Sequence, residues 1–282
     1  MIKITGMDLS TIFGLGSAVS WGTGDFCGGV ATKRSSVLTV AIISQLVGLA
    51  LLAFSAFIIG EAMAPWQDIL WGALAGISGG IGLLALYHAL SVSKMGVVAP
   101  AAAVFSAIVP VVFGIAMEGF PATIQLIGFF FAFTGVWLIS REEYGAKMNS
   151  NDLKLSLIAG FGFGFFMIFI DRIQGASILW PLVGARIASL TMFFLAALYL
   201  RKAEIPAVRY IPLMALAGIF DTGGNLFYAL AAQAGRLDIA AVLTSLYPAV
   251  TVLLAWMFLK ERLARRQWIG VLSVMIAVVL IS

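Results

Sequence analysis

The chain has 282 residues, of which 62% are hydrophobic and 11% charged, and its formal net charge is +4. Soluble domains run to roughly 45–50% apolar and about 25% charged residues, so a water-soluble globule is excluded and an integral membrane protein is indicated. The basic residues sit in short clusters between apolar runs, which offers no nucleic-acid surface, and the single cysteine, Cys27, excludes an internal disulfide and a cysteine-held metal cluster.

A helical span needs about 20 mostly apolar residues to cross the hydrocarbon layer. In chain order this length predicts ten spans: Leu9–Ala31, Val37–Gly60, Ile69–Leu90, Val97–Met117, Thr123–Ser140, Leu153–Ile170, Ser177–Leu200, Ile211–Gln233, Ile239–Leu259 and Trp268–Ile281. The first carries Trp21 and Asp25 without a clear small-residue cleavage site, so it reads as a retained span and not as a signal peptide. The fold class expected is an all-α integral membrane protein.

Near the middle, "REEYGAKMNSND" (Arg141–Asp152) is the longest polar interruption, and it divides the spans into five and five. The expected organisation is a unit over 1–140, a linker over 141–152 and a second unit over 153–282. Similar strings recur in the same order in both units: "ALYHAL" with "NLFYAL", "IVPVV" with "LYPAV", and "LIGFFFAFTGVWLIS" with "WIGVLSVMIAVVLIS". Each fourth span holds a mid-span proline, Pro110 and Pro248, expected to loosen the helix and act as a hinge. Because a five-span unit crosses an odd number of times, its copy enters from the opposite side. Such inverted repeats are typical of secondary transporters, with the substrate near the midplane.

Of the 17 Lys and Arg, all but Lys3, Arg172, Arg236 and the span-borne Arg186 fall beside the loops after spans one, three, five, seven and nine. An excess of Lys and Arg marks the cytoplasmic face, so the tally places both termini outside.

Ionisable groups inside spans are functional candidates by default. Arg186 and Asp221 fall close to mid-depth, and Asp25 lies a turn or two towards the basic side. The planar fork of Arg186 suits an anionic substrate group, or else an ion pair with Asp25 or Asp221. Asp221 and Asp25 are candidates to exchange protons, and Asn225 lies one turn beyond Asp221 on the same face. Trp21, one turn before Asp25, could stack on an organic substrate or simply pack. His88, near the end of span three, is a weaker proton-coupling candidate, and "NLFYAL" places Tyr228 opposite it in the repeat. Glycines at intervals of four (Gly72, Gly76, Gly80; Gly24, Gly28; Gly160, Gly164) predict close helix packing.

An enzyme is not expected, and no catalytic residue is assigned. "GISG" places Ser78 in a string like that of intramembrane serine hydrolases, but His88 lies ten residues further on, about 15 Å along one helix. No GxxxxGK[ST] loop is present, and neither a metal nor a cofactor is expected.

The paired five-span units, the early "WG" at Trp21–Gly22, "GARIASL" around Arg186, and "LYPAVTVLLAWMFLKERL" (Leu246–Leu263) with Glu261 resemble the EamA family of the drug/metabolite transporter superfamily. The first unit departs from that pattern, reading "AMEGFPAT", with Gln45 where Arg186 falls in the second. The resemblance implies a ten-helix carrier in a bacterial-type cell membrane, often exporting amino acids or other small metabolites through a cavity lined by both units. It also implies cytoplasmic termini, opposite to the charge tally. The expectation is a proton-coupled exporter, with an uncoupled facilitator or uptake carrier as the alternative. Substrate contacts are expected at Arg186, Trp21, Asn225 and Tyr228, and the partners are a small molecule and the lipid bilayer, with the chain a monomer or homodimer.

Overall fold

The computed structural model describes residues 3–4, 7–92, 95–140, 150–200, 206–259 and 264–281. Glu261 and most of the 141–152 linker lie outside the described residues. After a two-residue antiparallel pairing of Lys3–Ile4 with Met7–Asp8, the chain is helical. The helices are α1 (Leu9–Thr32), α2 (Val37–Ile59), α3 (Trp66–Val92), α4 (Met95–Glu118), α5 (Thr123–Ser140), α6 (Ser150–Asp171), α7 (Leu179–Leu200), α8 (Ile211–Ala234), α9 (Leu237–Thr244), α10 (Tyr247–Leu259) and α11 (Arg265–Ile281).

Among the described residues, seven stretches are long and apolar enough to cross a membrane: α2, α3, most of α4, α6, α7, α8, and α9 with α10 taken together. The chain is therefore a multi-pass membrane protein. Helix α5 is apolar but shorter, and α11 has 17 residues. Turn chemistry marks the helix ends. The Ser36 side chain accepts from the Thr39 amide and caps α2, and Gly60 closes that helix with a φ of 67°. Gly119, after α4, has a φ of 80°.

The structure treats the two prolines differently. Helix α4 runs through Pro110 without a break, whereas the expected ninth span is interrupted at Ser245–Leu246, just before Pro248. Proline lacks an amide proton and crowds the preceding turn, so a break there is natural. Contacts with α1 hold it in place. Gly22 lies against the Tyr247 carbonyl, where a Cβ would not fit, and Thr251 Oγ1 donates to the Gly22 carbonyl at 3.0 Å.

Helix pairing repeats between the halves. Helix α1 packs on α8 and α10, as α6 packs on α3 and α4; α2 lies against α7 and α8, as α7 lies against α2 and α3. The interface of α5 with α11 is antiparallel: Gly128 faces Ala277 to Ile281, while Gly135 and Gly270 meet backbone to backbone. The glycines act as expected for close packing. On α3, Gly72, Gly76 and Gly80 abut Pro181, Ala185 and Ser189 of α7; Gly24 abuts α8, Gly28 the Tyr87 ring, and Gly160 and Gly164 abut α4. On the other side, Gly218 approaches Ser44 and Gly48 approaches Thr222. Matching these contacts pairs Gly76 with Gly218 and Gly80 with Thr222. In that register Leu86 corresponds to Tyr228, two residues away from the His88 pairing read off the strings. Leu86 and Tyr228 are both fully buried, and His88 is exposed.

Candidate functional site

Between the halves lies a cavity with about 610 Å³ of empty space, counted out to its mouth. Its walls come from α1, α2, α3, α4, α6, α7, α8 and α10. Charged groups on its lining are Asp25, Arg186 and Asp221, which α1, α7 and α8 carry to one place.

Arg186 is only 4% exposed, and its two terminal nitrogens make three hydrogen bonds. Nη1 donates to Asp221 Oδ2 and to Gln45 Oε1, both at 2.6 Å, and Nη2 donates to Thr222 Oγ1 at 3.1 Å. Gln45 Nε2 donates to the same Asp221 oxygen at 3.2 Å, and Ser189 Oγ donates to Gln45 Oε1 at 2.9 Å. Of the partners read as open from the sequence, Asp221 is the one found. A pair of charges removed from water must be joined by further hydrogen bonds to be tolerable, and Gln45, Ser189 and Thr222 supply them.

Asp25 is half-buried on the cavity wall, and among the described residues it has neither a hydrogen bond nor an ion pair. Trp21 also lines the cavity, and its Nε1 donates to Asn225 Oδ1 at 2.9 Å. One face of the indole stacks on Tyr228 at 6.0 Å, and its edges meet Phe166 and Tyr247. Tyr228 is thus a support beneath Trp21, its hydroxyl donating to the Met167 carbonyl at 3.1 Å. The hydroxyl of Tyr247 is buried without a partner.

Five candidates from the sequence therefore converge: Trp21, Asp25, Arg186, Asp221 and Asn225. His88 does not join them. Ser78 is occupied locally, its hydroxyl donating to the Ala75 carbonyl at 3.1 Å. Gln45, Ser189, Thr222 and Tyr247 belong to the site but were not singled out as ligands. Their signal was available, since each is a polar residue within an apolar span.

The same connections hold one end of the bundle. Glu61, after α2, receives amide protons from Ile178, Leu179 and Trp180 at the start of α7, at 3.0 to 3.2 Å. Asp68 Oδ2 on α3 accepts from the Gly175 amide at 2.9 Å. Arg236 pairs with Asp238 and donates to the Gly119 carbonyl at 2.7 Å, joining the end of α4 to the start of α9. These contacts all tie the first half to the second.

The EamA-like transporter family matches this chain twice, over residues 9–141 and 153–282. The chain belongs to that family. As an EamA-family protein it is a transporter-type membrane protein, and the folding pattern has a solved counterpart. A structure titled only "Crystal structure of protein" superimposes with a TM-score of 0.76 at 14% identity, covering 96% of this chain and 95% of that one. An uncharacterized protein of Methanocaldococcus jannaschii is 24% identical over 128 residues, which span 45% of this EamA chain and 93% of that protein. That relative is about half as long, the size of one matched segment.

Proposed function

We propose that this protein is a secondary transporter that exports small organic metabolites such as amino acids by alternating access. It has ten crossings, formed by two inverted five-helix units over 1–140 and 153–282, with α9 and α10 as one broken crossing. Support for the inversion comes from the exchangeable helix pairings and from the antiparallel contact of α5 with α11. The basic loops face the cytoplasm, following the distribution of Lys and Arg.

One observation carries the reading: a cavity between the halves is lined by two carboxylates and an arginine. Charges in the hydrocarbon layer are costly, and lining a substrate or proton path gives them a purpose. Trp21 and Asn225 face the substrate, with Tyr228 supporting the indole. Arg186 keeps Asp221 in place at the cavity wall. Pro248 serves as the flexible joint, while Pro110 lies within a continuous helix.

Proton coupling is assigned to Asp25 and Asp221. The charged and titratable groups around Asp25 are Asp221 on α8, Tyr87 on α3 and Tyr247 on α10, and Arg186 is paired with Asp221. Protonation neutralises a buried acid and changes the free energy of closing the cavity, which links proton movement to the conformational step. His88, exposed and away from the cavity, has no part in it.

Proteoliposomes containing the purified protein and a mixture of labelled amino acids test the proposal. An imposed pH gradient should accelerate labelled flux in the wild type, and Asp25→Asn should abolish that response. Exchange that ignores the gradient in the wild type would identify a facilitator instead.

A further inference from the structure

The chemistry of the cavity wall goes further than the general reading of a metabolite carrier, on which it rests. Its charged lining groups are two acids and one base. The base is committed within the protein: every bond described above directs Arg186 to Asp221, Gln45 or Thr222. What is left over is a carboxylate, Asp25, without a partner among the described residues.

A second, independent feature stands beside it. Tyr247 is 3% exposed, lines the same cavity, and its hydroxyl has no hydrogen-bond partner. Burying a hydroxyl unpaired costs about 1–3 kcal/mol, so such a group is normally satisfied by something. The aromatic rings of Trp21, Phe163 and Phe166 complete the wall around these two polar groups.

An anionic ligand would meet this wall badly. It would face an unpaired carboxylate, and for the Arg186 charge it would compete with Asp221, already paired at 2.6 Å. An ammonium finds what it needs: a carboxylate as counter-ion, a hydroxyl oxygen as acceptor, and aromatic faces for its charge and its apolar body. We infer that the cavity binds a small organic amine in its cationic form, the ammonium seated between Asp25 and the Tyr247 hydroxyl and the apolar body against Trp21 and Phe166. Arg186 is then a positioning residue that fixes Asp221, and the charge that selects substrate is that of Asp25.

Isothermal titration of the purified protein in detergent can test this with two probes that share a phenethyl body and differ in the sign of their charge, phenethylamine and 3-phenylpropionate. Phenethylamine should bind, and 3-phenylpropionate should bind at least about tenfold more weakly. Asp25→Asn should weaken phenethylamine binding by at least about tenfold, Asp25→Glu should retain it, and Tyr247→Phe should weaken it by about tenfold, the scale of one hydrogen bond to a charged group. Tyr247→Phe removes only an unpaired hydroxyl and so keeps the test valid if Asp25→Asn does not fold. Equal or tighter binding of the carboxylate, binding of neither probe, or unchanged affinity in both Asp25→Asn and Tyr247→Phe would overturn the inference. Counterflow of labelled phenethylamine in proteoliposomes separates the two claims. Asp25-dependent binding without flux leaves the amine site standing and removes the transport reading; amino-acid flux without amine binding does the reverse.

Discussion

Replacing Arg186 by methionine removes the cation but keeps much of the side-chain volume. Asp221 then retains only the Gln45 amide at 3.2 Å, and Gln45 Oε1 and Thr222 Oγ1 each lose a donor. Breaking a buried ion pair from one side costs about 3–5 kcal/mol, because a charge is left without compensation. That is a factor of roughly a hundred to several thousand in the unfolding constant. Removing both charges, in Arg186→Met with Asp221→Leu, eliminates the orphaned carboxylate. The remaining loss is then the two weakened acceptors and the Gln45 amide, which loses Asp221 as its acceptor, about 1 kcal/mol each. The double variant should therefore be more stable than the single by up to about 2 kcal/mol. Reversible unfolding by SDS in mixed micelles, followed by tryptophan fluorescence, measures both. A single variant that loses under about 1 kcal/mol, or a double variant no more stable than the single, would refute the account of the pair as mutually dependent.

Other perturbations probe the interfaces between the halves. Glu61→Gln keeps the shape of the group that caps α7 but removes its charge from a helix N-terminus, and should lower stability by about 0.5–2 kcal/mol in the same titration. A larger share of open conformers at that end is also expected, read as faster maleimide labelling of a cysteine introduced at Ser177 in a Cys27→Ala background. Gly76→Leu should do more damage. Its Cβ would meet the Ala185 carbonyl of α7, which is backbone and cannot swing away, so α3 and α7 must separate and the monodisperse protein peak on size exclusion should be lost. The same substitution at Gly60, which has nothing within 4 Å of an added Cβ, would strain only a turn and should leave the peak in place.

Much of this site was legible because charge is conspicuous in a hydrocarbon layer. Arg186, Asp221 and Asp25 stand out in any apolar helix, and helical spacing added Trp21 and Asn225. Neutral polar residues are a weaker signal, since serine, threonine and glutamine can satisfy themselves on their own helix, as Ser78 does. Gln45 was visible as the counterpart of Arg186, but nothing in the spacing shows that two equivalent positions touch. Tyr247 was a weak signal for another reason: it opens α10 just after the break from α9, and the proline that marks this break has a twin in α4 that breaks nothing. The difference rests on Gly22 and Thr251, contacts between distant segments that periodicity along one helix does not encode. The register of α3 against α8 was misplaced by two residues for a similar reason, as short apolar strings match by chance and only the glycine contacts fix their depth.

The meeting of Gln45 and Arg186 has a consequence for how such a protein could arise. With the two halves proposed as inverted copies, helices α2 and α7 are counterparts, and these two residues face one another. In an assembly of two identical short chains, the size of the archaeal relative, that place must hold like against like: two arginines repelling each other, or two glutamines without charge. Joining the copies into one polypeptide frees the two positions to diverge, and a lone positive charge can then stand on the axis itself, answered by one carboxylate from one side. The second acid, Asp25, is left to whatever enters.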